Sequence, residues 1–263
     1  MQELKLINIL GSIEGGSTKP LLINAMGEDK KPKLYVMKLF KEDYIEQNYS
    51  VAKEIFISEL AHEFSLTTPN YGVIWIDHSL LNNFFSKEEI KLLDKGYKFC
   101  SEYVKQSTPL VNSLASLSFI KEYDIANLFC FDNLIINVDR GGYRNKSNLL
   151  INDEEFILID HEQTIPFINN TSEDPNYYSY INSYPHEYHI ASKYLRSLRL
   201  KEDLFTEFFE SLKYLNIEKY NYLFDRLDVL GIQYGNREKI FAYLNWAKTN
   251  VNFLNTRINN IIK

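Results

Sequence analysis

The chain has 263 residues, enough for one two-lobed domain or two small ones with a sizeable buried core. Hydrophobic residues make up 45% and charged residues 24%, a globular balance, and the formal net charge of -6 argues against a general binder of nucleic-acid phosphates. Cys100 and Cys130 have no metal-ligand spacing and read as buried thiols in a reducing compartment. With no signal-peptide pattern and no apolar run of membrane-spanning length, a cytoplasmic protein without a membrane span is expected.

In chain order, residues 4–9 read as a strand, followed by the Gly/Ser-rich turn Gly11–Pro20 and a second apolar run, Leu21-Leu22-Ile23. Two strands joined this way can lay backbone N–H groups over phosphates. Residues 33–40 predict a third strand, with Lys33, Tyr35 and Met37 outward and Leu34 and Val36 inward. Lys38 then shares the apolar face, where an ammonium needs an anionic partner. Ser50 is placed as a helix cap, and Ala52, Ile55, Phe56, Leu60 and Phe64 form one buried stripe. Glu54, with Glu59 in reserve, is a carboxylate able to turn toward Lys38. Residues 71–76 are a fourth strand, Ser86 and Glu89 form a capping box, and residues 97–104 are a fifth strand.

From Val111 the pattern becomes helical. Residues 164–184 are polar and read either as a functional loop or as a surface insertion. Pro185–Arg199 predicts a helix with Pro at its first position, on which His186 and His189 read as unrelated to metal. Residues 201–263 predict helices with three apolar stripes, one of them Tyr222, Phe224, Leu227 and Leu230. The fold class is therefore α+β, with a strand-rich part (1–104) and a helical part (105–263).

The chain is organised around residues 132–160. Asp139 and Arg140 sit in a polar loop, and Leu149-Leu150-Ile151 and Phe156–Ile159 flank an Asn-Asp turn as a short hairpin ending on Asp160. That arrangement puts Asp139, Asn148 and Asp160 at the hairpin's mouth, where an amide oxygen and a carboxylate suit Mg²⁺. Asn145 is a rival to Asn148 as ligand. The phrases Asn137-Val138-Asp139-Arg140, Asn148-Leu149-Leu150 and Leu158-Ile159-Asp160-His161 resemble HipA-like kinases and, more distantly, type II phosphatidylinositol 4-kinases. The likeness spans roughly residues 10–165.

The resemblance implies a two-lobed protein-kinase-like fold, with a nucleotide-binding N-lobe and a helical C-lobe carrying the catalytic loop and metal site. It implies that Asp139 orients the acceptor hydroxyl, Arg140 braces the loop, and Asn148 and Asp160 hold Mg²⁺. Gly15, Gly16, Ser17 and Lys38 would hold the ATP phosphates, Glu54 would pair with Lys38, and the backbone near Glu102 and Val104 would meet adenine. The activity implied is that of a Ser/Thr protein kinase, with Ser12, Ser17 and Thr18 as candidate autophosphorylation sites. Its partners would be nucleotide, a protein substrate and an antitoxin-like protein. The alternatives are a nucleotide-binding pseudokinase, favoured by the stretched Asp139–Asn148 loop, and a lipid or small-molecule kinase.

Overall fold

The computed structural model describes residues 1–13, 19–105, 107–109, 120, 123–141, 148–153, 155–169, 175–198 and 204–263. Gly15, Gly16, Ser17, Thr18 and Asn145 lie outside them. The strands are β1 (Gln2–Glu3), β2 (Lys5–Ser12), β3 (Leu21–Met26), β4 (Pro32–Met37), β5 (Tyr71–Ile74), β6 (Lys98–Glu102), β7 (Thr108–Pro109), β8 (Leu149–Ile151) and β9 (Phe156–Leu158). The α-helices are α1 (Glu42–Asn48), α2 (Ser50–His62), α3 (Lys87–Leu92), α4 (Ile125–Ile135), α5 (Tyr177–Asn182), α6 (Ser192–Ser197), α7 (Thr206–Tyr214), α8 (Asn221–Leu230), α9 (Arg237–Thr249) and α10 (Val251–Ile262). The chain is α+β, a mixed N-terminal sheet followed by a largely helical C-terminal region. It forms two compact units, one of residues 1–56, 69–105 and 221–235, the other of residues 57–68, 106–220 and 236–263. Among the described residues no helix is long and apolar enough to cross a membrane.

In the first unit the sheet runs β1-β5-β6-β4-β3-β2, with β1 parallel to β5 and the other pairs antiparallel. Its buried face carries Leu21, Ile23 and Ala25 of β3 and Tyr35 and Met37 of β4, packed with Ile74, Ile76 and Cys100. Each large side chain fully buried there contributes about 1.5–3 kcal/mol. The expected orientation of β4 is reversed. Tyr35 and Met37 face the core, while Leu34, Val36 and Lys38 alternate onto the half-buried side. Period-two patterning groups residues onto faces; the packing partner decides which face is core. β6 stops at Glu102, short of the expected Val104.

Helix α1 has no counterpart in the sequence reading. It ends on Tyr49, in the left-handed region at φ 53°, whose N–H donates to the Ile45 carbonyl. The Tyr49 carbonyl in turn accepts from Lys53 N–H, so Ser50 is the first helical residue of α2 and not its cap. Nor does α2 carry a single stripe. Residues 51–58 are all buried, Lys53, Glu54 and Ser58 included, as in a helix enclosed on every side. The capping box of α3 is present: Ser86 Oγ accepts from Glu89 N–H, and the Glu89 carboxylate accepts from Ser86 N–H at 2.9 Å. Cys100 and Cys130 are free, buried thiols, and burial raises the pKa of both.

In the second unit β7-β8-β9 form a small sheet, and the β8–β9 hairpin pairs Leu149 with Leu158 and Ile151 with Phe156. Every residue of α4 is buried, and Asp124 caps it by accepting from Asn127 N–H at 3.1 Å. Phe64 stacks on Phe208 at 4.4 Å and meets Phe131 at 5.7 Å. The expected helix over 185–199 is broken. A 3-10 turn (His186–Tyr188) leads to His189, which bridges to Gly141, and α6 begins only at Ser192. The backbone pairing with Gly141 pulls the chain out of helical geometry. In α8 of the first unit, Leu223, Phe224 and Leu227 are buried and the expected Tyr222 is 76% exposed.

Ser50 gives a test of signed outcome. Its Oγ is buried with no hydrogen-bond partner among the described residues, so Ser50→Ala removes an unsatisfied hydroxyl and improves helix propensity. Urea unfolding should show stability unchanged or raised by up to about 1 kcal/mol. A capping serine would instead lose about 1 kcal/mol.

Candidate functional site

The second unit builds its polar centre at the C-terminus of α4. Asp132 lies in the last turn with no exposure. One carboxylate oxygen, Oδ2, accepts from Arg140 Nε at 2.6 Å and from His189 Nε2 at 2.8 Å. The other, Oδ1, accepts from Asn137 Nδ2 at 3.0 Å. Burial pushes the Asp132 pKa up, but the Arg140 charge and the His189 hydrogen bond outweigh it, and the carboxyl is held below its ordinary value. Arg140 is 1% exposed, and its Nη1 donates to the Asn148 carbonyl. Buried charges persist only when paired and hydrogen-bonded in this way.

This centre shapes the loop that leaves α4. Ile136 closes the helix at φ 55°, a conformation that β-branched residues rarely adopt. Asn137 then uses its Oδ1 to accept from Asp139 N–H at 3.1 Å, and Tyr184 Oη donates to the Asn137 carbonyl at 2.9 Å. Asp139 is half-buried, and its Oδ2 accepts from Asn148 Nδ2 at 3.0 Å. The two ends of the Asp139–Asn148 loop therefore meet side chain to side chain. Gly141, at φ 109°, pairs with His189 so closely that a Cβ would collide with the Tyr188 carbonyl.

The hairpin brings the remaining carboxylates up. Asn148 precedes β8 and Asp160 follows β9, and Ile159 N–H donates to the Asn148 carbonyl at 3.2 Å. Both residues sit in the left-handed region, Asn148 at φ 47° and Asp160 at φ 65°. Such outliers concentrate at functional sites. Asp160 and the buried Glu162 bring carboxylate oxygens within 4.8 Å of each other. An all-oxygen donor set of this kind suits Mg²⁺ or another hard divalent cation.

The first unit holds the other expected residues. Lys38 N–H donates to the Phe99 carbonyl, which carries its side chain off the end of β4. Its ammonium pairs with the Glu54 carboxylate of α2, so the pairing falls to Glu54 and not to Glu59. The ammonium end is 13% exposed and the carboxylate 1%. The Glu102 side chain accepts from Lys33 and Asn70, and its N–H donates to the Asn70 carbonyl at 2.6 Å. The Glu102 side chain and backbone N–H are therefore both engaged within the first unit. Gly15, Gly16 and Ser17 lie outside the described residues.

Three residues were not assigned a role from sequence. Asp132 reads as part of an apolar helix, and only its spacing to Asn137 and Arg140 hints at a shared contact. Glu162 directly follows Asp160-His161, a local signal that was available. His189 gives no signal, because its partner is 57 residues away.

Residues 6–204 match a protein family described as HipA-like kinase. No curated protein matches the chain.

Breaking the buried pair by Asp132→Asn should destabilise the protein by roughly 3–5 kcal/mol in guanidinium unfolding at pH 7. Because the folded pKa of Asp132 is depressed, its contribution is complete above the unfolded value near pH 4 and is lost as pH falls through the folded value. The stability gap between wild type and Asp132→Asn should therefore stay constant from about pH 7 to 5 and narrow below about pH 4.

Proposed function

Because the chain belongs to the HipA-like kinase family, we propose that it is an ATP- and Mg²⁺-dependent phosphotransferase with a protein Ser/Thr hydroxyl as acceptor. The observation that carries this reading is the Asp139 carboxylate, fixed by Asn148 Nδ2 at 3.0 Å beside a hairpin mouth bearing Asp160. Phosphoryl transfer asks a protein for positioning and charge neutralisation, with little covalent work. The proposed fold is the two-lobed protein-kinase-like one.

The residues take these roles. Asp139 orients the acceptor hydroxyl and receives its proton. Its carboxylate is preset, because both its backbone N–H and its Oδ2 are already tied. Asn148 Oδ1 and Asp160, with Glu162 in support, hold the metal. When bound, Mg²⁺ neutralises the phosphate charge that develops during transfer. Arg140 braces the loop and does not reach substrate, since its guanidinium is buried against Asp132. Lys38, held in place by Glu54, binds the nucleotide phosphates. Gly15, Gly16 and Ser17 are assigned to the same phosphates, and the backbone at Glu102 and Val104 to the adenine edge. The acceptor is a protein, with the chain's own Ser12, Ser17 or Thr18 and an antitoxin-like partner as candidates.

Incubation with ATP and Mg²⁺, followed by mass spectrometry and an assay of ADP release, tests the reading. Phosphoserine or phosphothreonine should form. Asp139→Ala should lower the rate by about 10²–10⁴-fold, and Lys38→Met should weaken nucleotide use. ADP release no faster in wild type than in Asp139→Ala, with ATP still bound, would select the pseudokinase instead.

A further inference from the structure

We infer that His189, acting through Asp132, is a positioning residue for the Asp139 carboxylate. The inference rests on the phosphotransfer reading above. His189 lies beyond the hairpin, between a 3-10 turn and α6, and outside every motif legible in the sequence. Its side chain has no exposure. The hydrogen-bonding role of each ring nitrogen follows from geometry. Nδ1 accepts from the Ala191 backbone N–H at 3.1 Å, so the ring proton sits on Nε2. From there it donates to Asp132 Oδ2 at 2.8 Å, and the ring packs edge-on to Phe129.

The consequence follows along two arms that start at the same carboxylate. Asp132 Oδ1 holds Asn137, and Asn137 holds the Asp139 N–H. Asp132 Oδ2 accepts from both Arg140 and His189, Arg140 donates to the Asn148 carbonyl, and Asn148 Nδ2 donates to the Asp139 carboxylate. His189 therefore sets the rotation of the one group from which both arms hang. Loss of its proton donor leaves Oδ2 with Arg140 alone, and the carboxylate swings toward the guanidinium. That swing loosens Asn137 and shifts Arg140, so Asp139 moves at both ends. The backbone tie between His189 and Gly141 is independent of the side chain, so the chain's path at Gly141 survives while the aim of Asp139 does not. Misplacement of about 1 Å is enough to cost about 10²-fold in rate.

The test uses the full chain, ATP with Mg²⁺, and ADP release as readout, with Asp139→Ala as blank. His189→Leu should lower kcat by about 10–100-fold while KM for ATP stays within about twofold. His189→Gln, whose amide nitrogen can donate from the same place, should stay within about threefold of wild type. His189→Met fills the volume without a donor and replaces the leucine variant in the comparison if that variant does not fold. A folded donorless variant with wild-type kcat overturns the positioning role, and so does a glutamine variant as slow as the donorless one. Wild type no faster than the blank overturns the phosphotransfer reading itself, and the inference with it.

Discussion

The polar centre at the end of α4 in the second unit depends on one buried ion pair, Asp132 with Arg140, both side chains fully shielded from water. Taking two charges out of water costs several kcal/mol each, and their attraction offsets this only in good geometry with further hydrogen bonds. Here the carboxylate accepts three hydrogen bonds, from Arg140, His189 and Asn137. Such a network is poor at adding net stability and good at excluding alternative arrangements, because any rotation leaves a buried charge unsatisfied. That intolerance carries into the loop, since Asn137 and Arg140 immediately flank Val138-Asp139.

Rigidity of this kind lets the backbone hold strained conformations. Ile136 and Ile165, both β-branched and buried, have φ values of 55° and 36°, and Asn148 and Asp160 are also left-handed. Each such residue costs of order 1–3 kcal/mol and needs over-determined surroundings. The surroundings are visible. Ile165 N–H donates to the Ile135 carbonyl at 2.7 Å, and Tyr243 Oη of α9 donates to the Leu134 carbonyl, one of the acceptors left open at a helix end. Arg257 of α10 bonds Asn133 at the end of α4 and Asn182 at the end of α5. Helices α9 and α10 lie beyond the residues matched to the family. In this chain they nonetheless support the loop that carries Asp139. An aromatic group of Phe167, Tyr177, Tyr243 and Trp246 packs α5 and the preceding turn onto α9.

The first unit reaches a comparable result by another route. Lys38 leaves the end of β4 on the side that is not core, and its ammonium meets a carboxylate presented by an enclosed helix. Glu54 can be that deeply buried because a cation neutralises it, and Lys38 can extend from a half-buried face because the carboxylate directs it. The pair thus fixes the position of an ammonium group at the end of a strand.

What was legible in the sequence was local. The capping box of Ser86 and Glu89 and the hairpin around the Asn-Asp turn follow from spacing and turn chemistry. Each of these rests on hydrogen bonds over a few residues. The buried sides of α2 and β4, the break at His189 and the status of Ser50 were not legible. Each depends on what packs against the element, and periodicity records which residues share a face without recording what that face meets. The ring of His189 becomes a buried donor only because the chain returns after 57 residues to the end of α4. The candidate residues Asp139, Asn148 and Asp160 are therefore written in the sequence, whereas the groups that hold the chain around them were decided by tertiary structure, since desolvation and hydrogen-bond satisfaction exist only once distant segments have closed around them.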